Sequence, residues 1–417
     1  MRKRLNFVRN KNGASFLCYT YNQINGAAVC GGAILQKRSV PELKAIREYI
    51  RSTDKFLILL CLASSALSVL ALTSISYYDS SAQNSLFSNY RQPIVQAAAA
   101  LMGLVCAIII STIDYHSIAA TWPFHAAVSW GMVLLTFVIG YAPSGTDNKS
   151  WISLPLGLSL QPTEIAKISF ILTFALHLDS VKDKMEEPPT MLALFAHLAA
   201  PLLLIHIQGD DGTALIFLMI GLSMLFVAGL SRKYVYAGVG LAIVAVPLLW
   251  FGVMKDYQKQ RFYALLDPDN NTKIMWQQNQ ARISIGAGQI TGRGFFAGEH
   301  HPVPLAENDF IFSYISESLG ILGSLLVMLL LFGITAKLVA TAFRSQDRQG
   351  ALICVGISAV IAWQTIINIG MNLSLLPVIG ITLPFLTAGG TSVLMLYLCM
   401  GLALSVYRHN KRNLFDV

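Results

Sequence analysis

The chain has 417 residues, 54% of them hydrophobic and only 12% charged, with a mean hydropathy of +0.57. Soluble domains carry about 25% charged residues, so this composition excludes a disordered chain and argues against an ordinary water-soluble fold. The net charge of +8 does not mark a nucleic-acid binder, because residues 1–55 hold eleven Lys and Arg against Glu42, Glu48 and Asp54, and the rest of the chain is balanced.

That basic stretch, 1–55, reads as an N-terminal tail. It is no cleavable leader: residues 14–35 are mixed, and the first long apolar run starts only near residue 56. Residues 41–53 could form a short amphipathic surface helix with Pro41 near its start. A solvated basic tail is the simpler reading and the one favoured. Translation starting later, for instance at Val40, is a third.

From residue 56 the sequence shows ten apolar runs, each close to the roughly 20 residues that a bilayer crossing requires. They fall at 56–76, 93–113, 118–141, 163–178, 188–207, 212–230, 233–253, 309–341, 350–370 and 384–407. The fourth is short and contains Lys167. The eighth exceeds one crossing and is expected to tilt or to project past the bilayer. The predicted fold class is an all-α polytopic integral membrane protein with ten transmembrane helices, a membrane domain over 56–407, one long extracellular loop at 254–308 and a C-terminal tail at 408–417.

Ten crossings place both ends on one side. With the termini in the cytoplasm, inner segments hold 21 Lys and Arg, and outer segments hold eight, six of them in the one long loop. The positive-inside rule therefore puts the tails in and the long loop out. Of the six cysteines, Cys18 and Cys30 lie in the tail and Cys61, Cys106, Cys354 and Cys399 in spans. None is in an outer segment, so neither a disulfide framework nor a zinc cluster is expected.

Polar groups within such a chain are candidate functional residues. Gln161-Pro162-Thr163-Glu164-Ile165-Ala166-Lys167 opens the fourth span, with Glu164 and Lys167 three apart on one helix face. The pair is either the polar wall of an internal cavity or a structural ion pair linking helices. Gln208-Gly209-Asp210-Asp211-Gly212-Thr213 reads first as a turn with a helix cap. The long loop carries Arg261, Gln280, Arg282 and the glycine-rich stretch 286–294. That stretch is no dinucleotide fingerprint, lacking a βαβ context, although its glycines with Arg282 and Arg293 could receive a phosphate. Glu299, His300, His301 and Glu307 are metal-ligating types whose spacing has no diagnostic value. Asp309 stands where the loop enters an apolar helix. It is either an N-cap or a partly desolvated carboxylate suited to base catalysis.

Five stretches together resemble one family, the SEDS polytopic membrane proteins, the group of RodA, FtsW and the SpoVE-like sporulation proteins. They are Trp151-Ile152 before QPTEIAK (161–167), QGDDGTAL (208–215), the run at 278–294, ENDFIFSYISESLGILG (307–323) and NIGMNLSLLPVIGITLPFLTAGGTS (368–392). The resemblance covers about 56–407, in family order, and excludes the tail. It implies peptidoglycan glycosyltransfer: lipid II is polymerised into glycan strands at the outer face of a bacterial cell membrane, with a class B penicillin-binding protein transpeptidase as partner. On this resemblance Asp309 is the essential aspartate and general base, and Glu164 and Lys167 are the paired charges of the central cavity. Asp210 is the aspartate of the QPDLGTA motif, and Arg261, Gln280 and Arg282 are groove or diphosphate contacts. The sequence departs from the family where P-E-x-H-T-D-F reads Pro304-Leu305-Ala306-Glu307-Asn308-Asp309-Phe310, and where Gly209 and Asp211 replace proline and leucine.

The competing functions are a non-catalytic scaffold or a lipid-linked precursor flippase on the same fold. An ion-coupled transporter is weaker, since no inverted repeat is visible. No metal site is predicted and no cofactor is required, a divalent cation being left open. The stretch 286–298 is closer to RodA-like members, which favours elongation over division, with sporulation as a further option.

Overall fold

The computed structural model describes residues 4–9, 15–20, 28–30, 33–35, 49–79, 90–142, 148–155, 159–268, 270–297 and 300–413. It comprises two compact units, Met1–Thr53 and Asp54–Val417. In the first, strands β1 (Arg4–Arg9), β2 (Ser15–Thr20), β3 (Ala28–Cys30) and β4 (Ala33–Leu35) pair in sequence order as an antiparallel sheet, with Arg4 opposite Thr20 and Cys18 opposite Cys30. The sequence had suggested no strands here. Most of the predicted surface helix at 41–53 lies outside the described residues, and a single helical turn is present at 49–52.

The second unit is helical. Its long apolar elements are α1 (Lys55–Asp79), α2 (Arg91–Ile110), α4 (Trp122–Ile139), α5 (Pro162–Ser180), α6 (Pro188–Ile207), α7 (Asp211–Val227), α8 (Arg232–Leu248), α11 (Ile311–Phe343), α12 (Arg348–Asn372) and α13 (Gly390–Asn413). Each overlaps one of the ten apolar runs, and among the described residues eight helices are long and apolar enough to cross a membrane on length and composition alone. The two others are α5, which carries the Glu164 and Lys167 charges, and α7, which has 17 residues. The chain is a multi-pass membrane protein. Short pieces complete the unit: α3 (Tyr115–Ala120), the hairpin β5 (Ile152–Ser153) with β6 (Ser159–Leu160), and two helices inside the long loop, α9 (Asp256–Leu266) and α10 (Thr272–Ala287).

Helix starts follow local chemistry. Proline opens α5 and α6, where its missing N–H costs nothing. Asp54 receives the Phe56 and Leu57 amides at the head of α1, and Asp347 receives the Gly350 amide at the head of α12. Helix α12 is the centre of the bundle and is enclosed along most of its length, packing on α11, α7, α5 and α13. By contrast α8, continued by a π-helical turn at Leu249–Val253, buries none of its residues.

Two departures from regular helix shape the site. Helix α11 breaks at Gly320 (φ 68°, ψ −158°), which accounts for the excess length of the eighth apolar run. Its first segment, Ile311 to Ser318, is wholly buried. The backbone groups freed by the break are taken up by the glycine-rich loop. Arg293 N donates to Glu317 O, Gly294 N to Ser318 O, Ile321 N to Gln289 O and Leu322 N to Ile290 O. A side chain on Gly288 or Gly292 would collide with the Ser316 or Ser318 carbonyl. The glycines at 288 and 292 therefore serve close backbone approach.

The second departure is 373–389, which is irregular although the tenth apolar run begins at 384; the last helix starts only at Gly390. Such backbone is tolerated inside a membrane protein only where protein surrounds it. Gln96 of α2 supplies much of this, donating to Thr387 O at 3.1 Å and accepting from Gly389 N at 3.1 Å. Ala388 N donates to Glu307 O at 2.8 Å, and the Thr387 hydroxyl donates to Asn308 O at 3.2 Å. The turn that carries Asp309 is thereby tied to this segment.

Candidate active site

Asp309 lies in the turn before α11, two residues ahead of Ile311. The N-cap of that helix is Phe310, and the Asp309 carboxylate makes no capping bond, so the cap reading of Asp309 fails. Its backbone is held rigidly instead. Two buried α12 side chains, Asn368 and Asn372, donate to the Asp309 carbonyl at 2.8 and 3.0 Å. Asn372 also accepts from Ser313 N, and Asn368 donates to Ile381 O. The half-buried carboxylate itself has no hydrogen bond or ion pair among the described residues, and Gly380 lies beside it. Burial, with the charge of Asp210 adding to it, raises the Asp309 pKa from 3.8 to about 6.

Asp210 is the N-cap of α7. Its Oδ1 accepts from Thr213 N at 3.0 Å, and its Oδ2 accepts from the Thr213 hydroxyl at 2.8 Å and from Gln161 at 3.1 Å. Burial raises its pKa, opposed by the two Thr213 bonds and the nearby Lys167 charge. One turn into α5, Lys167 Nζ donates to Glu164 Oε1 at 2.7 Å, with 4% and 8% of the two residues exposed. The pair closes within one helix, rather than linking two, and stands within electrostatic reach of Asp210. Gln161, Glu164, Lys167, Asp210 and Asp309 thus form one connected polar zone at the end of the bundle where α7 and α11 begin.

The other predicted contacts are placed differently. Exposed Arg261, on α9, donates to Val378 O and covers the Tyr257 ring at 5.9 Å. This brings it to the 378–380 turn, whose Gly380 adjoins Asp309. Gln280 lies on α10, and its buried Oε1 has no partner among the described residues. Arg282, two residues on, is exposed. No hydrogen bond or ion pair joins either of them to Asp309.

Three groups carry more of the geometry than the sequence indicated. Asn368 and Asn372 fix the Asp309 backbone, and only their spacing of four on one apolar helix hints at a shared polar task. Gln278 donates to Met371 O and Leu376 O, fastening α10 to the end of α12. Glu317, 0% exposed, accepts from Ser284 at 2.6 Å and His301 N at 2.9 Å, and pairs with Arg293 at 3.3 Å. A carboxylate inside an apolar run was the available signal.

Chemically, the zone offers a carboxylate poised to take a proton near neutral pH, a second half-buried carboxylate that tunes it, and a lysine that offsets the negative charge. Among the described residues, no group of three or more His, Cys, Asp or Glu could hold a metal ion. A cavity of about 250 Å³ between α4, α5 and α6, lined by Trp130, Phe170, His197 and Pro201, contains none of these residues.

Comparison with known proteins places this geometry. The family model for FtsW, RodA and SpoVE, described as cell cycle protein, matches residues 54–412. The chain is similar to the probable peptidoglycan glycosyltransferase FtsW of Geobacter metallireducens, 32% identical over 320 residues, covering 75% of this chain and 83% of the relative. It is also similar to the peptidoglycan glycosyltransferase MrdB of Escherichia coli K12, 30% identical over 316 residues, covering 74% and 84%. Among solved structures, a chain of a peptidoglycan synthase complex that coordinates polymerization and crosslinking superposes with a TM-score of 0.70 at 24% identity, over 86% of this chain and 98% of that one. The rod shape determining protein RodA of Thermus thermophilus superposes with a TM-score of 0.61 at 22% identity, over 86% and 97%.

Proposed function

Because the chain belongs to the FtsW/RodA/SpoVE family of cell cycle proteins, we propose that it is a peptidoglycan glycosyltransferase that polymerises lipid II at the outer face of the bacterial cell membrane. The distribution of Lys and Arg supports cytoplasmic termini, with the long loop and the Asp309 turn outside. The observation that carries this reading is Asp309: its carboxyl is half-buried, free of partners among the described residues and raised to a pKa of about 6, and its backbone carbonyl is held by Asn368 and Asn372.

In the reaction the 4-hydroxyl of one lipid-linked glucosamine attacks the anomeric carbon of a muramyl unit on a second molecule. Asp309 accepts the hydroxyl proton as the new C–O bond forms. The bond from the anomeric carbon to the diphosphate breaks, and undecaprenyl diphosphate departs with the electron pair. A base with a pKa near the working pH suits the first event. The departing diphosphate calls for cations, and Arg261 and Arg282 of the outer loop are the groups assigned to it, with Gln280 as a polar contact. Lys167, neutralised by Glu164, keeps the zone beneath Asp210 polar without a net charge. A class B penicillin-binding protein is the partner that crosslinks the strands.

A second reading, translocation of the lipid-linked precursor, draws on the buried Glu164–Lys167 pair and on α8, which buries none of its residues. The discriminating experiment incubates the purified chain, with its transpeptidase partner, with lipid II. Glycan strands from the wild type and none from Asp309→Asn support polymerisation. Labelled lipid II crossing a proteoliposome membrane, with no strands formed, supports translocation.

A further inference from the structure

The turn between α6 and α7 holds two adjacent carboxylates that face different ways. Asp210 points inward and caps its own helix. Asp211 points outward and divides its oxygens between two other elements. Its Oδ1 lies 2.5 Å from Nδ1 of His206, at the end of α6, and its Oδ2 accepts from Nε2 of Gln258, at the start of α9, at 2.5 Å. The other end of the Gln258 amide is also committed: Oε1 accepts from Lys255 N at 2.8 Å and caps α9. Gln258 is thus oriented by its own helix start, and its amide nitrogen is directed at Asp211. Through this joint the loop helix is fastened to the head of α7.

Three residues later on the same helix face comes Arg261. Its far end is fixed by Val378 O and by the Tyr257 ring beneath it. Val378 begins the turn that meets the site. The Ile379 carbonyl packs on Gly212, so close that no side chain fits there, and Gly380 borders Asp309. Besides the ring contacts of Phe262 and Tyr263 with Trp250, helix α9 is held by polar bonds at Asp211 and Val378, and the exposed guanidinium lies next to the second. One of its five N–H groups is used on Val378 O, which leaves donors for a bidentate contact with a phosphate. An arginine on a flexible stem is useful in this way only if its helix is held still.

We infer that Asp211 is a positioning residue: through Gln258 it holds α9 so that the Arg261 guanidinium stands at the mouth beside Asp309 and receives the diphosphate of a polyprenyl-linked sugar. The inference rests on the polymerase reading for its substrate, while the clamp itself is independent of that reading. Asp211 touches no reacting atom. Its loss should lower kcat/KM through the misplaced guanidinium, because the charge that Arg261 meets grows as the diphosphate leaves.

The test uses full-length protein with its partner and four variants: Asp211→Leu, Asp211→Asn, Gln258→Glu, and the double variant Asp211→Asn with Gln258→Glu. Gln258→Glu sets two carboxylates face to face, whereas the double variant exchanges amide and carboxylate and restores the bond. Spin labels at positions 207 and 260 report the position of α9 without substrate. Separately, affinity for undecaprenyl diphosphate and steady-state constants for lipid II are measured. The expected result is a broadened label distance, an about tenfold weaker affinity for undecaprenyl diphosphate and an about tenfold lower kcat/KM in Asp211→Leu and Gln258→Glu, with the double variant restored. An unchanged label distance in both Asp211→Leu and Gln258→Glu overturns the inference. So does a broadened distance with unchanged affinity for undecaprenyl diphosphate. A wild type that makes no glycan strands, with the distance and affinity effects intact, overturns the polymerase reading and leaves the clamp standing.

Discussion

Replacing Asp309 by asparagine should make the protein more stable and less active at once. Burial and the Asp210 charge hold the Asp309 carboxyl at about 6 instead of 3.8, a difference worth at most about 3 kcal/mol between its two protonation states. The sign follows from linkage. Because the folded value is raised, the stability contribution of the protonated group is fully present below pH 3.8 and is lost as pH rises through about 6. At pH 8 the wild type therefore carries a cost that the asparagine variant does not, and at pH 3.5 the two should be equal. Nothing in the surroundings opposes the exchange, since the turn is held by Asn368 and Asn372 through the Asp309 carbonyl, which asparagine keeps. Activity moves the other way, because removal of a general base costs about 10²–10⁴ in rate. Unfolding of both proteins in one detergent at pH 3.5, 5 and 8, with polymerisation of lipid II measured in parallel at pH 8, checks both halves. A variant less stable than the wild type at pH 8, or one that polymerises within tenfold of it, refutes the assignment of Asp309 as a desolvated base.

The neighbours of Asp309 give further expectations. Asp210→Asn keeps an acceptor for Thr213 but removes the like charge acting on Asp309, so the ascending limb of kcat/KM against pH should move below about 6; a limb that stays or rises contradicts the coupling. Lys167→Met leaves Glu164 buried without its partner, which should cost about 3–5 kcal/mol. Adding Glu164→Gln should recover most of that loss in unfolding measurements, while strand synthesis stays low. Glu317→Ala strips the acceptor from Ser284, His301 N and Arg293, with an expected cost of about 1–3 kcal/mol and faster hydrogen exchange over 288–297 and 300–301.

How much of this could be read from the sequence depends on the range of the contacts involved. The ten apolar runs are local properties of composition, and each corresponds to a helix. Asp210 as a cap is likewise a local feature, decided by Gly209, Gly212 and Thr213 around it. The break at Gly320 escaped because SESLGILG reads as apolar helix, and its cause lies about thirty residues away in the Gln289–Gly294 segment that docks there. The same long-range contact accounts for the glycines at 288 and 292. Helices α9 and α10 were missed because the loop has no apolar stripe, and their positions are fixed by single polar anchors, Gln258, Arg261 and Gln278, onto distant carbonyls or carboxylates. Asn368 and Asn372 matter only because the chain returns 59 and 63 residues after Asp309 to grip its backbone. The placement of Asp309 at a helix entrance was legible, but its environment was not.

Lipid II polymerisation by the purified chain together with a class B transpeptidase tests the central claim most directly. Wild-type protein should convert lipid II into glycan strands resolved by length on a gel, with activity rising through about pH 6 as Asp309 loses its proton. Strands that form equally well with Asp309→Asn, or lipid II that crosses the bilayer without being joined, would contradict it.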